Sequence, residues 1–236
     1  MSRWSYRVPI LGYHKVGAFK GDHVPTVSPE SFGRQLALLA RLRYRVLSFD
    51  EFAGCLDRAE PFPRRSAVIT FDDGYEETCT VAWPLLKRFG FPATVFIAPG
   101  EVGQPGFVTW EQVSAMASDG ITIGSHTMHH SYLPLVKEEQ LMDELLGSKQ
   151  AIESRIRQPV HYLSYPIGGF TPQAQAVTRQ AGYLAACTTN RALKPARLDR
   201  YALRRIKMTE RDAHPLFFLA KMSGYYDIFR QPKHPS

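Results

Sequence analysis

The feature that most constrains the fold is an alternation of short apolar runs, typical of buried β-strands, with longer amphipathic stretches that are typical of helices. The predicted strands cover residues 8–13, 44–47, 67–71, 93–98, 121–125, 162–165, 184–188 and 201–206. Helices that separate successive strands require those strands to pair in parallel. About seven or eight such units in one chain predict a single α/β domain, built as an irregular β/α barrel rather than an open sheet.

Capping residues and prolines mark where the predicted helices begin. Ser28 followed by Pro29 is typical of a helix start, and Phe32 opens the apolar face of that helix, which ends near residue 42. Pro84 is expected to kink its helix or to begin a new turn, because proline lacks a backbone N–H. The other predicted helices cover residues 50–56, 76–89, 109–118, 137–156 and 171–181, and the buried face of the second of these comprises Val81, Leu85 and Phe89.

The length and apolar content limit the class of protein. A chain of 236 residues with 44% hydrophobic content can bury its core in one domain spanning 1–236, with a loop predicted at 190–199 and a flexible tail at 230–236. No apolar run reaches the roughly 18 residues needed to cross a bilayer. His14 and Lys15 soon follow the apolar run at 8–11, so no signal peptide is expected and the predicted location is cytoplasmic.

Charge and cysteine content narrow the class of partner. The formal net charge of +7 comes from scattered arginines and lysines, and no nucleic-acid-binding module is visible, so nucleic acid is not an expected partner. We interpret the charge as a contribution to solubility, although a phosphorylated or anionic partner would also gain from it. Three widely spaced cysteines exclude a complete disulfide framework and are consistent with a reducing compartment.

The first candidate site follows the predicted strand at 67–71, which runs directly into Asp72, Asp73 and Gly74. Successive residues on an extended chain point in different directions, so two adjacent carboxylates can serve different roles. One can bind a cation while its neighbour takes a proton from a water molecule. Alone, the same residues are also typical of a turn or of a helix N-cap.

The second candidate site follows the predicted strand at 121–125 and places His126 and His130 four positions apart. That spacing lets both imidazoles face one point if the segment coils helically. Two histidines and one carboxylate form an open catalytic metal site that leaves a position for water. The alternative is a surface histidine cluster, which is our interpretation of His129. Together, the two segments predict a metal site at the carboxyl ends of parallel strands, where barrels place their active sites.

These motifs resemble those of polysaccharide deacetylases of the NodB-homology type, carbohydrate esterase family 4. The resemblance runs from Ile-Leu-Gly-Tyr-His at 10–14 through Thr-Phe-Asp-Asp-Gly-Tyr at 70–75 and Ser-His-Thr-Met-His-His at 125–130 to Ser-Tyr-Pro-Ile-Gly at 164–168. It implies an irregular (β/α)7 barrel, a TIM-like fold, and a hydrolase of carbohydrate metabolism that cleaves a non-peptide amide bond. The implied reaction removes N-acetyl groups from a GlcNAc-type amino sugar in a polysaccharide or a glycan precursor.

The resemblance also implies a role for each site residue. Asp72 matches the general base, while Asp73, His126 and His130 match the metal ligands. The backbone N–H of Ile167 is implied to hold the oxyanion together with the metal. The ion is expected to be divalent, with zinc first and with cobalt, nickel or manganese compatible with the same ligands.

The chain departs from the family pattern in two places. Ser164 stands where many members have an arginine that orients the base, and we predict that Arg205 takes over this role. The late Leu-x-x-His element, whose histidine protonates the leaving amine, is not evident, because Arg211 stands where the leucine should precede His214. His14 is the better candidate for an acid or a substrate contact, with a buried histidine bonded to backbone as the alternative.

Three functions remain open at this point. The first is a deacetylase, whose expected partner is an N-acetylated glycan or an amino-sugar precursor that is lipid-linked or nucleotide-linked. The second is a deformylase or an amidase, which would use the same site to hydrolyse a different amide. The third is a glycan-binding protein that has lost turnover, against which the presence of Asp72 argues. Residues 215–229 are predicted to form a closing helix on the barrel, with peripheral contact to a membrane as the alternative.

Overall fold

The computed structural model describes residues 8–18, 23–189 and 199–223, and most of its strands belong to one parallel sheet. The strands are β1 Ile10–Tyr13, β2 Lys15–Val16, β3 Thr26–Val27, β4 Arg45–Leu47, β5 Ser66–Phe71, β6 Thr94–Ile97, β7 Thr122–Ser125, β8 Tyr162–Ser164, β9 Ala185–Thr188, β10 Leu203–Arg204 and β11 Ile206–Lys207. In the large sheet the neighbours run β10-β9-β8-β7-β6-β5-β1-β11, and β4 pairs with the first half of β5. Each of these pairings is parallel, as the alternation of strands and helices predicts.

The segment that contains Arg205 brings the two ends of this sheet together. β10 pairs with β9 and β11 pairs with β1, while Arg205 alone separates the two short strands. The backbone N–H of Arg205 donates to the carbonyl of Thr188 at 2.9 Å, and that of Met208 donates to the carbonyl of Gly12 at 2.9 Å. Counted as one strand, this segment forms a ring of seven with β1 and β5 to β9. The predicted irregular (β/α)7 barrel is therefore confirmed.

The strands differ from the sequence prediction in two details. The single strand predicted at 201–206 is wrong, because its two halves pair with different neighbours and so form β10 and β11. The sequence pattern also does not predict β2 and β3, which pair with each other, because strands of two residues leave no periodic signal.

Helices follow most of the barrel strands. They are α1 Pro29–Arg41, α2 Phe49–Asp57, α3 Trp83–Phe89, α4 Trp110–Ser118, α5 Glu138–Met142, α6 Ser148–Ile156, α7 Pro172–Gln180 and α8 Pro215–Met222. The side chain of Ser28 accepts a hydrogen bond from the backbone N–H of Ser31, so the predicted start of α1 is present. A π-helical turn, Asp143–Gly147, joins α5 to α6, and the helix predicted at 137–156 is therefore one helical stretch with a wider turn inside it.

A second π-helical turn, Thr78–Ala82, precedes α3. Pro84 lies in the first turn of α3, so the new turn expected at this proline is present. Leu86 of α3 and Ala82, the last residue of the π turn, are both fully buried. The residues predicted to face the core are only half-buried, namely Val81, Leu85 and Phe89. The predicted face is shifted by one position because a π turn holds more residues than an α turn.

Side-chain alternation along the strands divides the buried residues into two cores. The barrel interior is filled mainly by Ile10, Val68, Phe96, Tyr162, Ala185, Cys187 and Leu203, together with Phe49, Phe52 and Ala53 of α2. The second core lies between the strands and the outer helices. With a period of two, the interior positions that follow Val68, Tyr162 and Leu203 are Thr70, Ser164 and Arg205. The interior therefore changes from apolar to polar towards the carboxyl ends of the strands.

The last described helix closes one side of the barrel. α8 packs through Phe218 and Met222, whereas Leu216 and Phe217 in its first turn are exposed. The structure contains no helix, over the residues that it describes, with the length and apolar character needed to cross a membrane. The remainder of the helix predicted at 215–229, most of the loop predicted at 190–199 and the tail predicted at 230–236 lie outside the described residues.

Candidate active site

Three of the predicted site residues converge at the carboxyl end of the barrel. Asp73 follows β5, while His126 and His130 follow β7. Asp73 Oδ1 lies 3.3 Å from Nε2 of His126 and 3.2 Å from Nε2 of His130. One potential ligand atom from each residue lies within 4.8 Å of the other two. The structure therefore brings together the three residues to which the sequence assigns a metal.

The backbone reaches this geometry through turns and not through a helix. Residues 126–130 are not helical, so the helical coiling considered for this segment is wrong. Thr127 and His130 instead have φ values of 64° and 55°, and Asp73 has a φ of 70°. Non-glycine residues in this left-handed region are uncommon and cluster at functional sites. The turns place the rings of His126 and His130 with centroids 4.9 Å apart.

His126 has a defined tautomer because its second ring nitrogen, Nδ1, contacts a backbone carbonyl. Its Nδ1 lies 2.6 Å from the backbone carbonyl oxygen of Ser164, and a carbonyl oxygen only accepts, so Nδ1 carries the proton and donates. In the neutral ring Nε2 is then a bare acceptor, and it faces the carboxylate oxygen of Asp73. Two acceptors in contact need a cation or a proton between them. A histidine that donates its other N–H to a backbone carbonyl is the usual arrangement of a metal ligand.

The central carboxylate oxygen also fits a divalent cation. Asp73 Oδ1 is buried, and despite its two short contacts it forms no hydrogen bond with any described residue. Burial would raise the pKa of Asp73, but the facing imidazoles of His126 and His130 hold that pKa well below its usual range. Contact with this carboxylate raises the pKa of His130. One anionic oxygen and two imidazole nitrogens form the donor set of an open zinc-type site.

Glu144 holds the loop that carries the two histidines. Its Oε2 accepts hydrogen bonds from the backbone N–H groups of Met128 at 3.0 Å and His129 at 3.2 Å, and its Oε1 lies 2.8 Å from Nδ1 of His129. Burial would raise the pKa of Glu144, but the hydrogen bonds from the side chain and backbone of His129 lower it overall. His129 is thus bonded to Glu144 and lies outside the metal cluster.

We expect the Glu144→Gln substitution to weaken Zn²⁺ binding by about 10-fold, within the range typical of groups that support metal ligands. A neutral amide is a weaker acceptor than a carboxylate for the N–H groups of Met128 and His129, so the loop would be less ordered. Titration calorimetry with Zn²⁺ measures the change in Kd. Glu139→Gln is the matched control, because Glu139 is exposed on the neighbouring helix α5. Equal Kd values for both variants and the wild-type protein would contradict this role for Glu144.

Asp72 is paired through both carboxylate oxygens with Arg205. Arg205 Nη1 donates to Oδ1 at 2.7 Å and Nη2 donates to Oδ2 at 2.5 Å. The pair is buried, with 1% of the arginine side chain and 4% of the aspartate side chain exposed. Burial would raise the pKa of Asp72, but Arg205 and His126 lower it overall, so the carboxylate is ionised. Arg205 therefore lies beside the predicted base, although its effect on turnover stays a prediction.

His14 is the next ionisable group beside the base. Its Nε2 lies 4.0 Å from Asp72 Oδ2. Burial lowers the pKa of His14, although Asp72 and Asp73 raise it. The alternative of a histidine bonded to backbone is not seen at Nδ1, which is buried and makes no hydrogen bond within the described part of the chain. His214, the late histidine left without a role, instead caps α8 by accepting from the N–H of Leu216 at 3.3 Å.

Ile167 lies in a 3-10 turn, Pro166–Gly168, which begins two residues after the end of β8. Its φ is 58° and its side chain is 73% exposed. A β-branched residue with positive φ is strained, and strain of this kind is common at functional turns. The turn is held by Thr188, whose hydroxyl donates to the carbonyl of Gly168 at 2.6 Å. The proposed contact of the Ile167 N–H with an oxyanion stays a prediction.

Two residues that support this site were not predicted from the sequence. The hydroxyl oxygen of Thr70 accepts a hydrogen bond from Nη1 of Arg205 at 3.1 Å. Its sequence position could have indicated this contact, because Thr70 stands two residues before Asp72 and so lies on the same side of the strand. Glu144 is the other, and its signal is an acidic residue beside the buried Leu145 in a predicted helix. Neither signal is specific, because polar residues at such positions are often satisfied by backbone alone.

Comparisons with known proteins agree with this arrangement. A family model described as polysaccharide deacetylase matches residues 59–186, which is more than half of the chain. The Bacillus subtilis (strain 168) protein YxkH, which bears the same family name, is 29% identical over 203 residues, or 86% of this chain and 72% of that protein. The poly-β-1,6-N-acetyl-D-glucosamine N-deacetylase of Staphylococcus aureus (strain MRSA252) is 27% identical over 171 residues, or 66% of this chain. The match spans 59% of that enzyme, less than two thirds of its length.

Solved structures share the fold over nearly the whole chain. Streptococcus pyogenes deacetylase PplD in complex with acetate has a TM-score of 0.84 and 25% identity, covering 91% of this chain and 97% of that chain. The structure of IcaB from Ammonifex degensii has a TM-score of 0.79 and 24% identity, covering 92% and 97%. Because the sequence identity to IcaB is below 25%, that similarity shows the fold alone. The matched family model, the barrel and the relatives lead to one conclusion: this chain belongs to the polysaccharide deacetylase family.

Proposed function

We propose that this protein hydrolyses the N-acetyl amide of a GlcNAc-type amino sugar, within a polysaccharide or a glycan precursor. The observation that carries the proposal is the convergence of Asp73, His126 and His130 beside the buried Asp72–Arg205 pair. A staphylococcal relative is named as an N-deacetylase of poly-β-1,6-GlcNAc, and a structural relative from Streptococcus pyogenes contains acetate, the acid that such a reaction releases. Both support an N-acetylated glycan as the substrate.

The cluster of three would hold a divalent cation, with zinc as the first expectation and cobalt, nickel or manganese as alternatives. When bound, such a cation would lower the pKa of a water molecule towards about 7 and would polarise the amide carbonyl. The backbone carbonyl of Ser164 orients the His126 ring, so that its Nε2 faces Asp73 Oδ1 and these two atoms would hold the cation.

Asp72 is suited to take a proton from the attacking water. Arg205 keeps the carboxylate ionised and fixes its plane. A carboxylate has about four lone-pair positions, and the arginine fork occupies only two, so both oxygens retain capacity to accept. Asp72 is the residue after the end of β5, which aims it at the same face as the cation cluster. Asp73, which would bind the cation, and Asp72, which would accept the proton, are thus adjacent in the chain. Asp73 contacts the two histidines, whereas Asp72 pairs with Arg205.

His14 and Ile167 would act on the two ends of the scissile amide. His14 would donate a proton to the leaving nitrogen, because its Nε2 lies 4.0 Å from Oδ2 of Asp72 and so lies beside the reacting groups. The N–H of Ile167, in the strained turn after β8, would hold the developing oxyanion.

We expect the wild-type protein, supplied with Zn²⁺, to release acetate from at least one substrate in a panel of β-1,6-linked and β-1,4-linked GlcNAc oligomers and lipid-linked amino sugars. Mass spectrometry detects each deacetylation as the loss of one acetyl mass. Asp73→Asn should abolish this release and weaken Zn²⁺ binding by more than about 100-fold, which exceeds the loss caused by removing a supporting group. The carboxylate is the anionic member of the ligand set, and an amide cannot replace its charge.

The matched control for this experiment is Asp119→Asn. Asp119 accepts from Trp83 Nε1 at 3.0 Å and pairs with Lys87, before the amino end of β7, on the opposite face of the barrel. Its substitution should leave acetate release unchanged. Zn²⁺ binding without any acyl product would instead favour a glycan-binding protein, and release of formyl or another acyl group from a non-sugar amide would favour the amidase alternative.

A further inference from the structure

Ser164 makes two contacts near the site, and the proposed reaction so far uses only the one between its backbone carbonyl and His126. It is the last residue of β8, and it is fully buried. Its hydroxyl oxygen accepts a hydrogen bond from Nη2 of Arg205 at 2.8 Å. Its backbone carbonyl accepts from Nδ1 of His126 at 2.6 Å. One residue therefore touches both the arginine that pairs with the base and a predicted metal ligand.

The Arg205 guanidinium depends on few contacts for its orientation. Nη1 donates to Thr70 Oγ1 at 3.1 Å, and Thr70 is itself fixed because its hydroxyl donates to the carbonyl of Leu11 at 2.8 Å. Arg205 Nε is buried and makes no hydrogen bond with any described residue. The plane of the guanidinium is thus set by Asp72 in front and by one hydroxyl on each side, from Thr70 and Ser164.

We propose that Ser164 is a positioning residue, whose hydroxyl orients Arg205 against Asp72 while its carbonyl orients His126. This inference rests on the proposed function. Ser164 connects the base to the metal ligand through an uninterrupted series of contacts, from Asp72 to Arg205, to Ser164 and to His126. A fixed distance between base and metal-bound reactant is a condition for efficient proton transfer.

The small size of serine is part of the same role. Arg205 enters the barrel interior from the segment between β10 and β11, and its guanidinium lies 5.4 Å from the centroid of the Phe96 ring. The carboxyl end of the interior is therefore shared between this guanidinium and the Ser164 side chain. A longer side chain at position 164 would take the space of the guanidinium, because protein interiors are packed without spare volume.

The test compares Ser164→Ala with the wild-type protein, using a β-1,6-linked GlcNAc oligomer as the substrate and Zn²⁺ as the metal. Alanine removes one hydroxyl and leaves the backbone carbonyl in place. We expect kcat to fall by about 10-fold, which corresponds to loss of a hydrogen bond to a charged group. KM and the Kd for Zn²⁺ should stay within about twofold, because the substrate contacts and the carbonyl contact to His126 remain.

Ser66→Ala is the matched control, because Ser66 is a fully buried serine at the opposite end of the barrel, whose hydroxyl donates to the carbonyl of Pro63 at 2.5 Å. It should change stability without changing kcat. A fall in kcat of the same size in both variants, or an unchanged kcat in Ser164→Ala, would overturn the inference. An inactive wild-type protein would instead count against the proposed function.

A double-mutant cycle in urea unfolding tests the same contact without any substrate. The cycle combines Ser164→Ala with Arg205→Ala, and coupling of about 10-fold in the unfolding equilibrium constant is expected, since each substitution removes one side of the same hydrogen bond. Additive effects of the two substitutions would overturn the inference, whatever the activity of the protein.

Discussion

Replacing Asp72 with asparagine is expected to lower kcat by about 10³-fold, within the range for loss of a general acid or base. Asparagine has nearly the same shape, but its amide does not accept a proton at neutral pH. The predicted metal ligands are untouched, so the Kd for Zn²⁺ should change by less than about 10-fold, the lower limit for loss of a group that supports a metal ligand. Mass spectrometry of acetylated and deacetylated GlcNAc oligomers measures the rate.

Asp212→Asn is the matched control for that substitution. Asp212 is also a buried carboxylate, 3% exposed, and it pairs with Lys221 at 2.7 Å. Both substitutions leave a buried cation without its carboxylate and are expected to cost stability. Only Asp72→Asn should lose turnover in the protein that remains folded. Comparable activity of the two variants, after correction for the folded fraction by circular dichroism, would show that Asp72 is not the base.

Replacing Arg205 with alanine is expected to reduce the free energy of unfolding by about 3–5 kcal/mol, the cost of leaving one member of a buried ion pair alone. In the wild-type protein the pKa of Asp72 lies below its ordinary value, so the pair stabilises the fold above the unfolded-state pKa of about 3.9. That contribution is lost as the pH falls through the lowered folded-state pKa. Without Arg205, burial still raises the pKa of Asp72 while the largest lowering influence is gone, so we expect this pKa to rise in the variant. The stability deficit of the variant should therefore be largest at neutral pH and should shrink as the pH falls towards and below about 4.

Urea unfolding at several pH values measures this deficit, and the same preparations measure turnover. Arg205→Lys is the matched control, because lysine keeps the charge but lacks the planar fork that bonds both oxygens of Asp72. It should recover most of the stability and only part of the activity. Unchanged turnover in Arg205→Ala would defeat the hypothesis that Arg205 orients the base. A deficit that does not vary with pH would show that the ion pair does not stabilise the fold.

The barrel and the position of the Asp73, His126 and His130 cluster were predictable from local patterns. Apolar runs separated by amphipathic helices require parallel strands, and the carboxyl ends of parallel strands lie on one face of a barrel. Asp73 lies two residues after the end of β5 and His126 directly follows β7, so their approach to each other depends on strand order and not on side-chain detail. The helix starts at Ser28 and Pro84 depend on backbone donors within a few residues, which is why they too are readable from the sequence.

Other features depend on contacts between distant segments. Glu144 reaches the His126–His130 loop only because helix and loop fold against each other. Thr127 and His130 of that loop have left-handed conformations, which local propensity disfavours for non-glycine residues. The π turn before α3 likewise displaced the buried face by one residue from its expected position. Local propensity does not encode such departures, because tertiary contacts supply the energy that overrides it.

The sequence by itself determined the order of strands and helices, the face on which Asp72, Asp73, His126 and His130 lie, and the absence of the family's arginine at Ser164. Arg205 was predicted from the sequence to take over the role of that arginine, and only the tertiary structure shows how it reaches Asp72. Arg205 meets Asp72 because β10 and β11 pair with different strands and turn the residue between them into the barrel. The physical reason is the range of the interactions: periodicity and capping act over a few residues, whereas the Asp72–Arg205 pair joins positions 133 residues apart and exists only once the barrel has closed.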